Sequence, residues 1–265
     1  MKRTRTQSRI TLDQPIIEQI SVIKSDHPAW GYRRVWSYLR YRKNVVIGKN
    51  RIHRLMKEQK LLINKQSLLF AKRKPIRPKP QANRPNQFWG TDMTKIKLAT
   101  FGWLYLHIVL DWFTKEIIGY SISFQSKTND WLDALNMAVN SRFPDGILSK
   151  ERALFLISDN GCQPTSENFM KTCSILKIKQ IFTTWNNPKG NADTERVMRT
   201  IKEDIVWPYD WDSPFAFQDA FAKWVNHYNT DFPHQSLAHK TPAQMMAYFQ
   251  KMEVKKAQDT PLVLA

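Results

Sequence analysis

FWGTDMTKIKLATFGWLYLHIVLDWFTKEIIGYSISF, residues 88–124, holds three strand-like runs in succession. Residues 88–96 form the first, 103–111 are almost continuously apolar, and 115–124 alternate through Ile118, Tyr120 and Ile122. Short turns at 99–102 and 112–114 join them, which predicts an antiparallel meander. Beyond it the period lengthens: 128–143 puts Trp131, Leu135 and Ala138 on one helical face. Residues 153–157 are short, apolar and bounded by charge and glycine, as a fully buried strand should be. A helix with Phe169, Cys173 and Leu176 on its inner face follows, then a short strand near Ile181 and Phe182, then a helix opening near Asn191. The order β-β-β-α-β-α-β-α predicts a mixed α/β domain.

Upstream the composition changes. Residues 1–86 carry 22 Lys and Arg against 4 Asp and Glu, while 87–265 hold the other 19 of each sign, so the whole net charge of +18 lies in the first third. That asymmetry points to a polyanion, because cations that neutralise phosphates release condensed counterions. Within it, Ile16, Ile20 and Ile23, then Tyr32, Val35, Trp36 and Leu39, then Ile52, Leu55 and Met56 recur at helical spacing. Three short amphipathic helices predict a helix-turn-helix module over 1–70, though the same periodicity fits any small bundle. Its polar faces carry Arg33, Arg34, Lys49, Arg51 and Arg54 as candidate DNA contacts, with the third helix the candidate for the major groove. Residues 71–86 are basic and proline-punctuated, an extended linker. A core over 87–250 and a tail over 251–265 complete the chain. No apolar run is long enough to span a bilayer, so a cytoplasmic protein without a membrane partner is expected. Cys162 and Cys173 lack CxxC spacing and are expected to be free thiols, and the histidines show no metal-ligand spacing.

The candidate chemistry lies in three acids. Asp92 sits in the first strand, Asp159 at the end of the buried strand, and Glu195 at the start of a helix, with 35 residues (160–194) between the last two. Carboxylates that converge can bind divalent ions, and hard oxygen donors favour Mg²⁺ or Mn²⁺ over zinc. On a regular helix Val197, Ile201 and Ile205 share an arc about 80° wide, and Glu195, Arg199 and Lys202 another about 60° wide. The helix can thus bury one stripe and aim an acid and two cations elsewhere. Glu203 lies about 80° from Glu195 and is the less suitable ligand. Taken alone, Glu195 and Arg199 also fit an ordinary i,i+4 helix pair. Asp111 fits a structural acid, and Phe217, Phe221, Trp224 and Tyr228 a core stripe.

Trp89-Gly90-Thr91-Asp92-Met93-Thr94, Asp111-Trp112-Phe113-Thr114-Lys115, Ser158-Asp159-Asn160-Gly161, Asn187-Pro188-Lys189-Gly190-Asn191-Ala192-Asp193-Thr194-Glu195 and His234-Gln235-Ser236-Leu237 stand in the order seen in DDE transposases. From about residue 14 to 248 the chain resembles the second-reading-frame product of IS3-family bacterial insertion elements, relatives of retroviral integrases. Ile157 and Pro164 depart from the His and Tyr that many members carry there. The resemblance implies a ribonuclease H-like, integrase-type core behind an N-terminal all-α helix-turn-helix module. It implies Asp92, Asp159 and Glu195 as catalytic residues holding two Mg²⁺ ions, with Mn²⁺ a possible substitute. Lys189, Asn191, Arg199 and Lys202 are then candidate DNA contacts. The expected partners are double-stranded DNA (terminal inverted repeats and target), a homodimer or higher oligomer on DNA, and an upstream-frame product or fusion. Two rival readings are a ribonuclease H-type nuclease and a DNA-binding regulator derived from an inactive transposase.

Overall fold

The computed structural model describes residues 7–63, 80–149, 152–183 and 190–259. Most of the linker, Lys189 and the end of the C-terminal tail lie outside the described residues. Backbone contacts divide the chain into two units, the first comprising Met1–Ala71 with Asp231–Lys240, the second Lys72–Thr230 with Thr241–Ala265.

The first unit holds α1 (Gln7–Asp26), α2 (Tyr32–Tyr41) and α3 (Lys49–Glu58). The apolar spacing read from the sequence packs as expected: Ile20, Ile23, Val35, Leu39, Ile52, Leu55 and Met56 are buried, with Trp30 among them. A buried acid pins this bundle. Asp13 on α1 receives Arg51 at 2.8 Å and Arg54 at 3.0 Å, both from α3. Residues Asp231–Lys240, which sequence order places inside 87–250, belong to this unit. Asp231 accepts from Tyr38 at 3.0 Å and Arg42 at 2.6 Å, Phe232 packs edge-on to Trp30, and Ser37 hydrogen-bonds His239. Gln235–Leu237 forms a 3₁₀ turn, and Thr241 caps α8 (Pro242–Asp259) by accepting from the Gln244 N–H.

The second unit is built on a five-stranded sheet of order β3-β2-β1-β4-β5. β1 (Phe88–Leu98), β2 (Gly102–Asp111) and β3 (Ile117–Ser123) form the expected antiparallel meander. β4 (Leu154–Ser158) joins β1 in parallel and β5 (Ile178–Phe182) joins β4 in parallel. α4 (Thr128–Arg142) covers one face, burying Trp131, Ala134, Leu135 and Ala138 against Trp89, Val109 and Ile118. The fit is close, because a Cβ on Gly119 would lie 2.2 Å from the Ala134 carbonyl oxygen. α5 (Glu167–Ile175) adds Phe169 and Cys173 to the same core, where burial pushes the Cys173 thiol up to about 12. Both cysteines are free thiols. α6 (Ala192–Ile201), α7 (Pro214–Thr230) and α8 belong to the same unit, and α7 buries Phe217, Phe221, Trp224 and Tyr228 as expected. Among the described residues no helix is long and apolar enough to cross a membrane.

Candidate active site

Two of the acids are brought together by register. Gly90 with Ile157 is the last pair of the parallel β1–β4 ladder, so the register sends Asp92 and Asp159, each two residues further on, toward the same end of the neighbouring strands. Asp159 is the first residue past β4, where the chain leaves the sheet and the carboxyl is exposed. Its Oδ1 accepts from the Gly161 N–H at 3.1 Å, and an Asp92 oxygen accepts from its neighbour Met93 at 2.8 Å.

The third acid arrives through α6, and glycine lets that helix in. A Cβ on Gly90 would lie 1.9 Å from Thr194 Oγ1 and 2.3 Å from Trp112 Nε1. The space is used by a buried hydrogen bond, Trp112 Nε1 donating to Thr194 Oγ1 at 3.1 Å. Beside it Asn191 donates through Nδ2 to the Thr91 carbonyl at 3.2 Å, and Lys115 pairs with Asp193 at 3.0 Å. Asp111, fully buried, organises the turn that carries Trp112 and Lys115. It accepts from the backbone N–H groups of Phe113 and Thr114, from the Thr114 hydroxyl and from the Asn86 N–H. The sequence reading of Asp111 as structural holds. Glu195 follows Thr194, within the first turn of α6, where a carboxylate complements the helix dipole. A cleft of about 470 Å³ opens there, lined by Asp92, Met93, Glu195, Met198, Arg199, Lys202 and Trp207.

The pattern of an integrase core domain matches residues 82–188, a second integrase core pattern matches 176–242, and that of an HTH-like domain matches 11–66. Transposase InsD for insertion element IS2D of Escherichia coli (strain K12) is 23% identical over 246 residues, covering 90% of this chain and 80% of that protein. The chain thus joins integrase-core patterns to an HTH-like pattern in one polypeptide. It is also 23% identical over 248 residues to the insertion element IS2A uncharacterized 48.2 kDa protein of Escherichia coli, where it covers 91% of this chain and spans 58% of that protein's length. The simian T-cell lymphotropic virus intasome in complex with PP2A regulatory subunit B56 gamma shares the fold, with a TM-score of 0.50 at 16% identity over 86% of this chain and 76% of that one. The HTLV-2 integrase catalytic core domain in complex with magnesium aligns with a TM-score of 0.48 at 22% identity, over 63% of this chain and 99% of that one.

In this integrase core the Asp92 carboxyl is pushed up to about 6, first by burial and then by the charges of Asp159 and Glu195, against the opposing pull of the Met93 N–H and Lys202. Burial also raises Glu195. Among the described residues no three His, Cys, Asp or Glu side chains stand at the mutual spacing of a metal site. The donor chemistry nevertheless fits a hard divalent ion: the acids supply only carboxylate oxygens, and their mutual repulsion at Asp92 is what a cation relieves.

The other expected residues fare unevenly. Lys202 lines the cleft, as does Arg199, which also pairs with Glu203 at 2.7 Å. Glu203 is absent from the lining, as helix geometry implied. Asn191 must be corrected: it is 6% exposed, and its amide is turned inward to hold α6 on β1 rather than outward to DNA. In the helical unit Arg33 is exposed and leans over Tyr32, Lys49 lies over Trp36, and Arg34 lies over Phe232 at 4.4 Å. Arg51 and Arg54 are partly committed to Asp13. Sequence reasoning missed Gly90, Trp112 and Thr194 as the joint beneath the site. It also missed Trp207, because the regular helix assumed through 205 stops at Ile201 and gives way to a π-helical turn, Lys202–Val206.

Proposed function

We propose that the cleft lined by Asp92 and Glu195, together with Asp159 past the end of the neighbouring strand, performs phosphoryl transfer on DNA, cutting the 3′ ends of a bacterial insertion element and joining them to a target. The observation that carries this reading is the convergence of the acids' fields: Asp92 within β1, Asp159 just past the end of the neighbouring β4 and Glu195 in the first turn of α6, with the charges of the last two felt at Asp92 beside Lys202. Asp92, Asp159 and Glu195 are the residues that hold the metal, taken as two Mg²⁺ ions for which Mn²⁺ can substitute. Bound there, the ions neutralise charge on the scissile phosphate and increase the acidity of the attacking hydroxyl.

The chain's own residues do the rest. Lys202 and Arg199 attract the phosphate backbone to the cleft, and Lys202 keeps Asp92 ionised more readily than burial alone would allow. The joint of Gly90, Trp112, Thr194 and Asn191 sets the distance between Glu195 and the strand acids. No side chain need act as nucleophile. Water opens the first phosphodiester and leaves a 3′-OH, and that 3′-OH attacks the second, so one bond forms as one breaks in each step. The helical unit, with Arg33, Arg34, Lys49, Arg51 and Arg54, supplies duplex binding, and Lys189 and the linker over 71–86 add positive charge. Two ends must be held together for transposition, so the working species is a dimer or larger assembly on DNA. An upstream-frame product or fusion is a further expected partner.

The test is purified chain with Mg²⁺ and labelled duplexes from the DNA flanking the coding sequence, with Asp92→Asn in parallel. Strand-transfer products that require Asp92 support the proposal. Cleavage of the RNA strand of a hybrid, without joining, would point to a ribonuclease H-type hydrolase. Tight DNA binding with no metal-dependent cleavage would point to a regulator and overturn the enzyme reading.

A further inference from the structure

Trp207 lies 12 residues after Glu195. On an uninterrupted α-helix, successive steps of 100° would turn it about 120° away from that acid. The helix is interrupted. Over Lys202–Val206 it is π-helical, and the Trp207 N–H donates to the Lys202 carbonyl, five residues back, at 2.8 Å. A π-turn accommodates one extra residue, so side chains beyond it fall back by one step and Trp207 comes to about 20° from Glu195. Trp207 accordingly lines the cleft with Asp92, Glu195, Arg199 and Lys202. Even so, 65% of its surface is exposed.

A single exposed aromatic is ordinary on a protein surface. One aimed by a rare helical irregularity into a cleft that also holds acids and cations calls for a ligand with an aromatic face and negative charge. A nucleotide has both. Resting on the DNA-cleaving reading of this cleft, we propose that Trp207 is a stacking platform for a nucleobase unpaired beside the phosphodiester that meets Asp92. Every base has a π-face, so stacking on indole is sequence-tolerant and suits an enzyme that must hold the last nucleotide of an end. Lys202 and Arg199 hold the flanking phosphates, while Met93 and Met198 give the cleft adaptable apolar walls. The volume of about 470 Å³ falls inside the roughly 300–1,000 Å³ typical of small-ligand sites. A base leaves its stack most easily at a duplex terminus or a mismatch, so frayed ends are the favoured substrates.

The experiment uses the full chain with Ca²⁺ and duplexes of the flanking DNA carrying 2-aminopurine, one position at a time, next to the scissile phosphate. With Trp207 in place, the probe at one position is unpaired yet quenched by the indole. Trp207→Ala brightens it several-fold and weakens binding to frayed duplexes by about 5- to 150-fold. Trp207→Phe retains most of the quenching, and Trp207→Leu, which keeps apolar bulk without a π-face, does not. Because the indole is exposed, none of the three variants should shift the melting temperature. Unchanged fluorescence and affinity in Trp207→Ala, in a preparation whose native form cuts and joins the same duplexes with Mg²⁺, would overturn the stacking role alone. A native chain that cuts none of them overturns the DNA-cleaving reading, and the stacking role with it.

Discussion

Adding one methyl group at Gly90 tests how Glu195 reaches the other acids. The new Cβ would lie 1.9 Å from Thr194 Oγ1, 2.3 Å from Trp112 Nε1 and 3.1 Å from Asn191 Oδ1, where ordinary contact begins at 3.4 Å. The start of α6 must therefore retreat by about 1.5 Å, the difference between 3.4 and 1.9 Å. That retreat breaks the buried Trp112–Thr194 hydrogen bond. Stranding a buried indole N–H costs about 1–3 kcal/mol and overpacking about 1–3 more, so Gly90→Ala should lose roughly 2–6 kcal/mol. In a chain of this size that lowers the melting temperature by about 5–20 °C. Activity should suffer more than stability. Glu195 is the residue after Thr194, and a misplacement of about 1 Å at a reacting centre costs on the order of 100-fold in rate. Thermal denaturation, duplex affinity and strand transfer at 20 °C, where the variant remains folded, separate the two effects. Affinity carried by the helical unit should hold while strand transfer falls. Removing the nearest obstacle with Thr194→Ala should make the double variant lose less than the sum of the single ones. A Gly90→Ala protein that melts and joins DNA like the native chain would refute the docking argument.

Asp92→Asn should abolish cleavage and joining yet stabilise the fold. The native carboxyl, raised to about 6 from 3.8, contributes stability only at low pH and loses it as pH rises through 6, so a neutral amide at pH 7.5 without divalent ions should gain up to about 3 kcal/mol. Urea melts at pH 4 and pH 7.5 check this, and a gain equal at both would contradict the electrostatic cause. His107, buried and bonded to the Ser121 and Ser126 hydroxyls, is pushed down to about 4 by burial. The unfolded chain therefore takes up its proton first as pH falls below 6.5, and about 2 kcal/mol should be lost by pH 5. Against an Asp92→Asn background, which removes the opposing titration, His107→Gln should flatten that slope, and an unchanged slope would assign the loss elsewhere. In the helical unit, Asp13→Asn should weaken the hold on Arg51 and Arg54 and cost about 1–3 kcal/mol. Hydrogen exchange of α3 amides should report it, and protection equal to the native chain's would mean the pairs carry no net stability.

Much of this architecture was legible in the order of residues because its signals are local. Alternation in 117–123, the apolar run of 103–111 and the 3.6 period of 128–142 each reflect which side of an element faces the core, and the element order follows. The acids were legible as well, two at strand positions and one at a helix start. Asn191 was misread because an Asn beside a glycine in a loop looks solvent-facing, and nothing local reveals the Thr91 carbonyl, 100 residues earlier, that claims its amide.

By itself, then, the sequence determined the elements, the free thiols, the concentration of positive charge in residues 1–86 and which acids stand as candidates, all properties of residue type and short-range period. Tertiary structure alone decided which groups meet. The parallel register sends Asp92 and Asp159 toward the same end of neighbouring strands, Gly90 admits α6 and with it Glu195, and Asp231–Lys240 joins the helical unit rather than the sheet. Trp207 depends on the π-turn that redirects it toward the cleft. Such pairings depend on packing between residues far apart in the chain, where a difference of 1–2 Å or one residue of register changes which side chains touch.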